Sequence, residues 1–186
     1  TYIKRDEFDT LMSHVPDHCI VILDEAYFEY AVDAAEDYPD SMNYRYDNVL
    51  TLRSFSKAYG ISGVRVGYGF GHEDLISNLH KVKLPFEPNA LAQVGAVGAL
   101  SDRPHLKRTI ETNKKLIKKA LKYLNEQGFL SIPSITNFIT IKTGSLQASQ
   151  FLYENLLNEG VIIRPLIVNE MPEFVRVSIG TEEEMA

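Results

Sequence analysis

The stretch from Leu52 to Tyr68, L-R-S-F-S-K-A-Y-G-I-S-G-V-R-V-G-Y, constrains the fold of this chain more than any other. It opens at the end of an apolar, strand-like run, Val49 to Leu52, turns through two serines into Lys57, and reaches Arg65 eight residues later. Short apolar runs bounded by turn residues suit buried strands of a parallel sheet. Ligands of such sheets bind beyond the carboxyl ends of the strands, which is where Lys57 falls. A lysine in that place can be desolvated and can form a Schiff base with an aldehyde. Ser54, Ser56 and Arg65 add two hydroxyls and a planar cationic fork, donors that suit a phosphate. A lone lysine is ordinarily a solvated surface charge. Serines, lysine, arginine and glycines converging in one short window favour a site instead.

An aldehyde and a phosphate on one small molecule describe pyridoxal 5′-phosphate. The window follows the pattern S-x-S-K-x-[FY]-G-[IL]-x-G-x-R-x-G-[YF] through Tyr68. It resembles the cofactor-lysine segment of fold-type I aminotransferases, and among them the histidinol-phosphate aminotransferases most closely. The resemblance runs along nearly the whole chain. It implies an α/β fold: part of a mostly parallel-sheet, cofactor-binding large domain at 1–103, a connecting helix at 104–127, and a truncated small α+β domain at 128–186. It also implies a carboxyl-terminal piece of a longer enzyme, weak or inactive alone. Complete members carry a glycine-rich turn, a ring-stacking aromatic and an N-P-x-N-P-T-G segment ahead of the point matching Thr1, and a final helix after the point matching Glu184.

The same resemblance implies roles for individual residues. Lys57 is the catalytic residue that bears the cofactor, and Ser54, Ser56 and Arg65 anchor its phosphate. From the segment D-E-A-Y, Asp24 pairs with the pyridine nitrogen and Tyr27 hydrogen-bonds the phenolic oxygen. Arg176, in F-V-R-V-S-I-G, matches the arginine that binds the acidic group of the substrate. Arg164, twelve residues earlier, matches a second anion-binding arginine of the histidinol-phosphate subgroup. Asp24 also stands on its own reading: it ends the apolar run Cys19 to Leu23 and so emerges on the same sheet edge as Lys57. A carboxylate after a strand is often just a turn or cap residue; the lysine segment one strand later favours the cofactor role.

The implied reaction is transamination between histidinol phosphate and glutamate or 2-oxoglutarate, a step of histidine biosynthesis, in a cytoplasmic homodimer. Two other readings share the motifs. One is a related enzyme, a decarboxylase of a phosphorylated amino acid such as threonine phosphate, or another class I or II aminotransferase. The other is a non-enzymatic regulatory domain built on the aminotransferase fold.

Composition narrows the partners. A net charge of -6 argues against a nucleic-acid surface, and no apolar run approaches the roughly 20 residues that span a bilayer. The single cysteine, Cys19, excludes an intrachain disulfide and reads as a small core residue. The five histidines form no metal-ligand pattern, so no metal is expected. Periodicity predicts a helix from Thr1 to Val15 and, after the strand Cys19 to Leu23, a surface loop from Ala31 to Asp47 that holds a short helical turn. Strands at Val49–Leu52 and Val64–Gly71 and helices at Glu73–Leu84 and Asn89–Leu100 follow. The long helix runs from Pro104 to Gly128. Beyond it come a strand at Asn137–Lys142, a helix at Ser145–Glu159, and strands at Val161–Arg164 and Phe174–Ile179.

Overall fold

The computed structural model describes residues 2–44 and 46–185, which form two compact units dividing between Ile110 and Glu111. In the first unit, strand β1 (Val21–Asp24) runs parallel to β2 (Val49–Ser54), and β3 (Gly67–Gly71) lies antiparallel on the far side of β2. Alternation decides what each face of this sheet meets. Val21, Leu23 and Val49 point to one face, where helix α1 (Arg5–Met12) lays Phe8 and Met12, four residues apart, against them. Phe8 is fully buried and meets the rings of Tyr44 and Tyr46 edge-on, at centroid separations of 5.0 and 5.9 Å. The opposite face carries Ile22 and Leu52, both exposed among the described residues.

The rest of this unit is mostly helical. Helix α2 (Phe28–Ala34) follows β1 directly, and helices α3 (Glu73–Val82), α4 (Ala90–Ser101) and the start of α5 (Arg103–Glu126) follow β3. Asn89 caps α4, its side-chain oxygen accepting from the Ala92 N–H at 2.9 Å. Ala92 of α4, with Ala96 and Ala99 beside it, packs on Phe55, Tyr59 and Val66 in a second apolar cluster.

In the second unit, β4 (Leu130–Ile132), β5 (Phe138–Lys142), β6 (Arg164–Leu166) and β7 (Met171–Ser178) form an antiparallel sheet in the order β4-β5-β7-β6. Ile139, Ile141, Ile163 and Val175 form its core, packed against Ala120, Leu121 and Leu124 of α5 and Leu152 and Leu156 of helix α6 (Leu146–Asn158). No helix of the described residues is long and apolar enough to cross a membrane.

Several sequence expectations need correction. Helix α1 is shorter than Thr1–Val15, because the backbone tightens after Met12 as the His14 N–H turns back to the Leu11 carbonyl. Cys19 is exposed, since it precedes β1 on a turn rather than lying in the strand. The start of the expected loop at Ala31–Asp47 belongs to α2, while the short helical turn expected within it is the 3-10 turn Ser41–Asn43; Arg45 lies outside the described residues. Strand β3 begins only at Gly67, because Ser62–Val64 forms a 3-10 turn and Arg65 adopts a left-handed φ of 57°. Strand β6 starts at Arg164: the Val161 N–H is spent closing α6 on the Leu156 carbonyl. Strand β4 has too few residues to show a period and was not anticipated.

Two stability outcomes follow from this packing. Phe8→Ala should cost about 3–5 kcal/mol in urea unfolding, the usual range for emptying a fully buried phenylalanine site; a cost below about 1 kcal/mol would mean the cluster collapses to fill the hole. Glu29 of α2 is buried with one carboxylate oxygen lacking a hydrogen-bond partner. Burial pushes its pKa up, while its own backbone N–H and Arg53 oppose the rise. The fold therefore favours the protonated acid. That stability is complete below the unfolded-state pKa and declines as pH climbs through the higher folded value. Glu29→Gln, which cannot ionise, should raise Tm over the parent near neutral pH and lose that advantage at about pH 4. An advantage that did not change with pH would contradict this account.

Candidate active site

The turn after β2 holds Lys57 between buried anchors. Phe55, Ala58 and Tyr59 are buried, and the Phe55 and Tyr59 rings pack at 4.9 Å between centroids. The Ile61 N–H bonds the Phe55 carbonyl at 3.2 Å, and the Gly60 N–H bonds that of Lys57 at 3.0 Å. Gly60 sits at φ 74°, a conformation that side chains resist. Lys57 is thus fixed on a tight, anchored turn with its own side chain half-exposed. Ser54 ends β2, and its hydroxyl oxygen accepts from the Ser56 N–H at 3.1 Å, which leaves the hydroxyl proton to donate.

The parallel pairing of β1 with β2 sets Asp24 beside Leu52, two residues before Ser54. Asp24 and Ser54 therefore project from the same sheet face at its carboxyl edge. The exposed Asp24 carboxylate accepts from the Ala26 N–H at 3.0 Å, and the Glu25 N–H bonds the Leu52 carbonyl at 2.8 Å. This turn leads to Tyr27 at the start of α2, and the Lys57 Nζ lies 5.0 Å from the centre of the Tyr27 ring. Such a contact is a cation–π approach, and it joins the two motifs that lie one strand apart in sequence.

Arg65 is placed differently. Its exposed side chain curls back, Nη1 donating to the Ser62 carbonyl at 2.8 Å, so its described contact is with its own turn. In the second unit, Arg164 of β6 and Arg176 of β7 are direct cross-strand partners. Ile163 and Val175 face the core, so both arginines lie on the other face of that sheet. Arg176 stacks over the Phe138 ring at 4.8 Å.

Arg53 is the residue that sequence reasoning missed. Its side chain is buried, its Nε donates to Glu25 Oε2 at 2.9 Å, and its Nη2 donates to Asp40 Oδ1 at 2.8 Å. The guanidinium carbon lies 3.3 Å from the centre of the Phe28 ring and 5.2 Å from that of Phe70. Gly67 of β3 lies close against the backbone of Arg53, where a Cβ would sit 2.7 Å from the Arg53 carbonyl oxygen. The available signal was an arginine at an inward position of a buried strand, with Glu25 in the turn after β1 and Asp40 in the loop before β2. A surface concavity lined by Ser41, Tyr44, Thr51, Phe70 and His72 contains none of the predicted site residues.

The donors of the first unit fit pyridoxal 5′-phosphate group by group. The donor types suit its groups: a primary amine on a rigid turn for the aldehyde, a carboxylate on the neighbouring strand end for the pyridine nitrogen, a tyrosine beside the amine for the phenolic oxygen, and hydroxyls at the end of β2 for the phosphate.

Comparison with known proteins agrees with this chemistry. A family model described as aminotransferase class I and II matches residues 1–186. The chain is 39% identical over 186 residues to histidinol-phosphate aminotransferase 1 of Nitrosococcus oceani, covering all of this chain and 50% of that protein. It is 40% identical over 188 residues to the histidinol-phosphate aminotransferase of Akkermansia muciniphila, again covering 100% and 50%. The structure superposes with a TM-score of 0.91, at 25% identity, on histidinol-phosphate aminotransferase from Sinorhizobium meliloti in complex with pyridoxal 5′-phosphate, covering 100% of this chain and 51% of that one. The chain spans about half the length of the curated relatives it matches. It belongs to the class I and II aminotransferase family.

Proposed function

We propose that the protein carrying this chain is a pyridoxal-phosphate-dependent aminotransferase that moves an amino group between histidinol phosphate and glutamate or 2-oxoglutarate. The cofactor, when bound, supplies the electron sink that makes the proton on the substrate's amine-bearing carbon removable. The protein holds that ring and moves protons around it. Lys57 would hold the aldehyde carbon of the bound cofactor, and its Nζ would take the substrate's Cα proton as general base. Such a group is typically worth ~10²–10⁴ in rate. Asp24 keeps the pyridine nitrogen protonated, because an adjacent carboxylate favours the charged form by roughly 1–3 pKa units. Tyr27 donates to the phenolic oxygen from beside Lys57. Ser54 and Ser56 hold the phosphate, and Arg65 joins them by releasing its local hydrogen bond.

The choice of a phosphorylated substrate rests on one observation, the Arg164 and Arg176 cross-strand pair. Like charges directly opposite on a sheet repel, so the arrangement asks for a shared anion. A guanidinium fork binds carboxylate and phosphate alike. Arg176 serves both substrates in this account, and Arg164 adds the charge that a phosphate needs and a carboxylate does not.

Single-turnover kinetics on the complete protein, with each half-reaction followed separately, tests the assignment. Arg176→Lys should slow both halves, because an ammonium lacks the fork. Arg164→Ala should slow the histidinol-phosphate half by at least about 10-fold more than the glutamate half, the loss of a charge-assisted bond of about 1.5–3 kcal/mol. The same variant should gain about 0.2–1 kcal/mol of stability from relief of the like-charge pair. An unchanged histidinol-phosphate half-reaction would remove the phosphate role. Carbon dioxide released from a phosphorylated amino acid, without amino transfer, would assign a decarboxylase instead.

A further inference from the structure

The buried cation of the first unit touches the neighbours of three proposed cofactor contacts. Arg53 itself precedes Ser54, it is bonded to Glu25, which follows Asp24, and it stacks on Phe28, which follows Tyr27. On a strand, consecutive side chains point to opposite faces. A group that grips residue 53 on the covered face therefore fixes the direction in which residue 54 leaves the other face. The same holds at the turn after β1, where holding the Glu25 carboxylate from one side sets the backbone from which Asp24 projects. Phe28 begins α2, so the guanidinium against its ring sets the start of that helix and with it Tyr27.

We propose that Arg53 is a positioning residue of the cofactor site, spacing the Asp24–Tyr27 turn from the Ser54–Lys57 turn through its bonds to Glu25 and Asp40 and its stacking on Phe28. This rests on the pyridoxal-phosphate reading given above. Stability alone is a weak reason for the cluster, since buried ion pairs can often be exchanged for well-packed apolar groups without loss. The planar fork does what such groups cannot: it bonds two carboxylates from separate segments and lies flat against an aromatic ring in one fixed geometry. Asp40 completes the arrangement. Its Oδ1 takes the second arm of Arg53 and also accepts from the Met42 N–H at 3.0 Å, tying the loop beyond α2 into the same frame. The buried Glu25 carboxylate is shared as well, its Oε1 accepting from the Ser41 N–H at 3.3 Å.

The test uses the complete protein as the parent, Arg53→Lys and Asp40→Asn, each stripped of cofactor and titrated with pyridoxal 5′-phosphate by absorbance. Thermal unfolding is recorded on the same samples. Arg53→Lys should weaken cofactor affinity by about 10–100-fold, the range for groups that orient direct ligands. It should also move the pH midpoint of the bound cofactor's absorbance upward, because Asp24 and Tyr27 both act on the ring that Lys57 holds. Asp40→Asn, at a partly exposed site, should fold and shift both quantities the same way by less; it decides the matter alone if Arg53→Lys does not fold. Wild-type affinity and an unmoved pH midpoint, even with a lower Tm, would overturn the positioning role and leave the cofactor assignment standing. A parent protein that failed to take up the cofactor would overturn both.

Discussion

Arg53 lies buried between two carboxylates, and a buried charge is tolerated only where its donors are met by well-placed acceptors. The first unit meets that demand with Glu25 and Asp40, drawn from two segments that are remote from β2 in sequence. The consequence reaches the opposite face of the sheet. Because side chains alternate, fixing what lies below β1 and β2 fixes what stands above them: Asp24, Ser54 and the turn that presents Lys57. Pairing between the two strands brings the motifs to one edge, and the buried cation holds them at a set spacing.

Lys57 is secured by a different means. Its turn carries three buried apolar side chains, so the backbone is anchored while the lysine remains free to reach a ligand. Rigid backbone beneath a half-exposed amine is what a covalent carrier needs, since orientation is established before the ligand arrives. The second unit follows a simpler logic. One face of its antiparallel sheet is closed by helices, and the other gathers Arg164, Arg176 and Phe138.

Much of this was legible in the sequence, for reasons that differ by element. Long helices such as α5 declare themselves through repeated spacings, and Ser145, Asn89 and Gly128 mark helix ends by their capping chemistry. The lysine window was readable because its residues and spacing follow a segment of the family to which the chain belongs. Strand ends were not. Whether Val64 or Gly67 begins β3 depends on Arg65 taking a left-handed turn, a choice that nothing in the local pattern dictates. Cys19 was misplaced because an apolar run does not reveal where its strand begins, and Ile22 because it does not reveal how many of the strand's faces are covered. Arg53 escaped notice for a related reason: a charge within a strand looks like an exposed position until its partners from distant loops are known. The register that sets Arg164 against Arg176 is likewise a tertiary fact, since twelve residues of sequence and an intervening 3-10 turn separate them.

Whether Lys57 carries the cofactor can be tested chemically without reference to substrate. The complete protein is incubated with pyridoxal 5′-phosphate, reduced with borohydride, digested, and the modified peptide sequenced by mass spectrometry. One dominant phosphopyridoxyl group is expected, on the Lys57 amine, and it should be lost in Lys57→Ala. A dominant group on any other lysine, or undiminished labelling in that variant, would contradict that assignment.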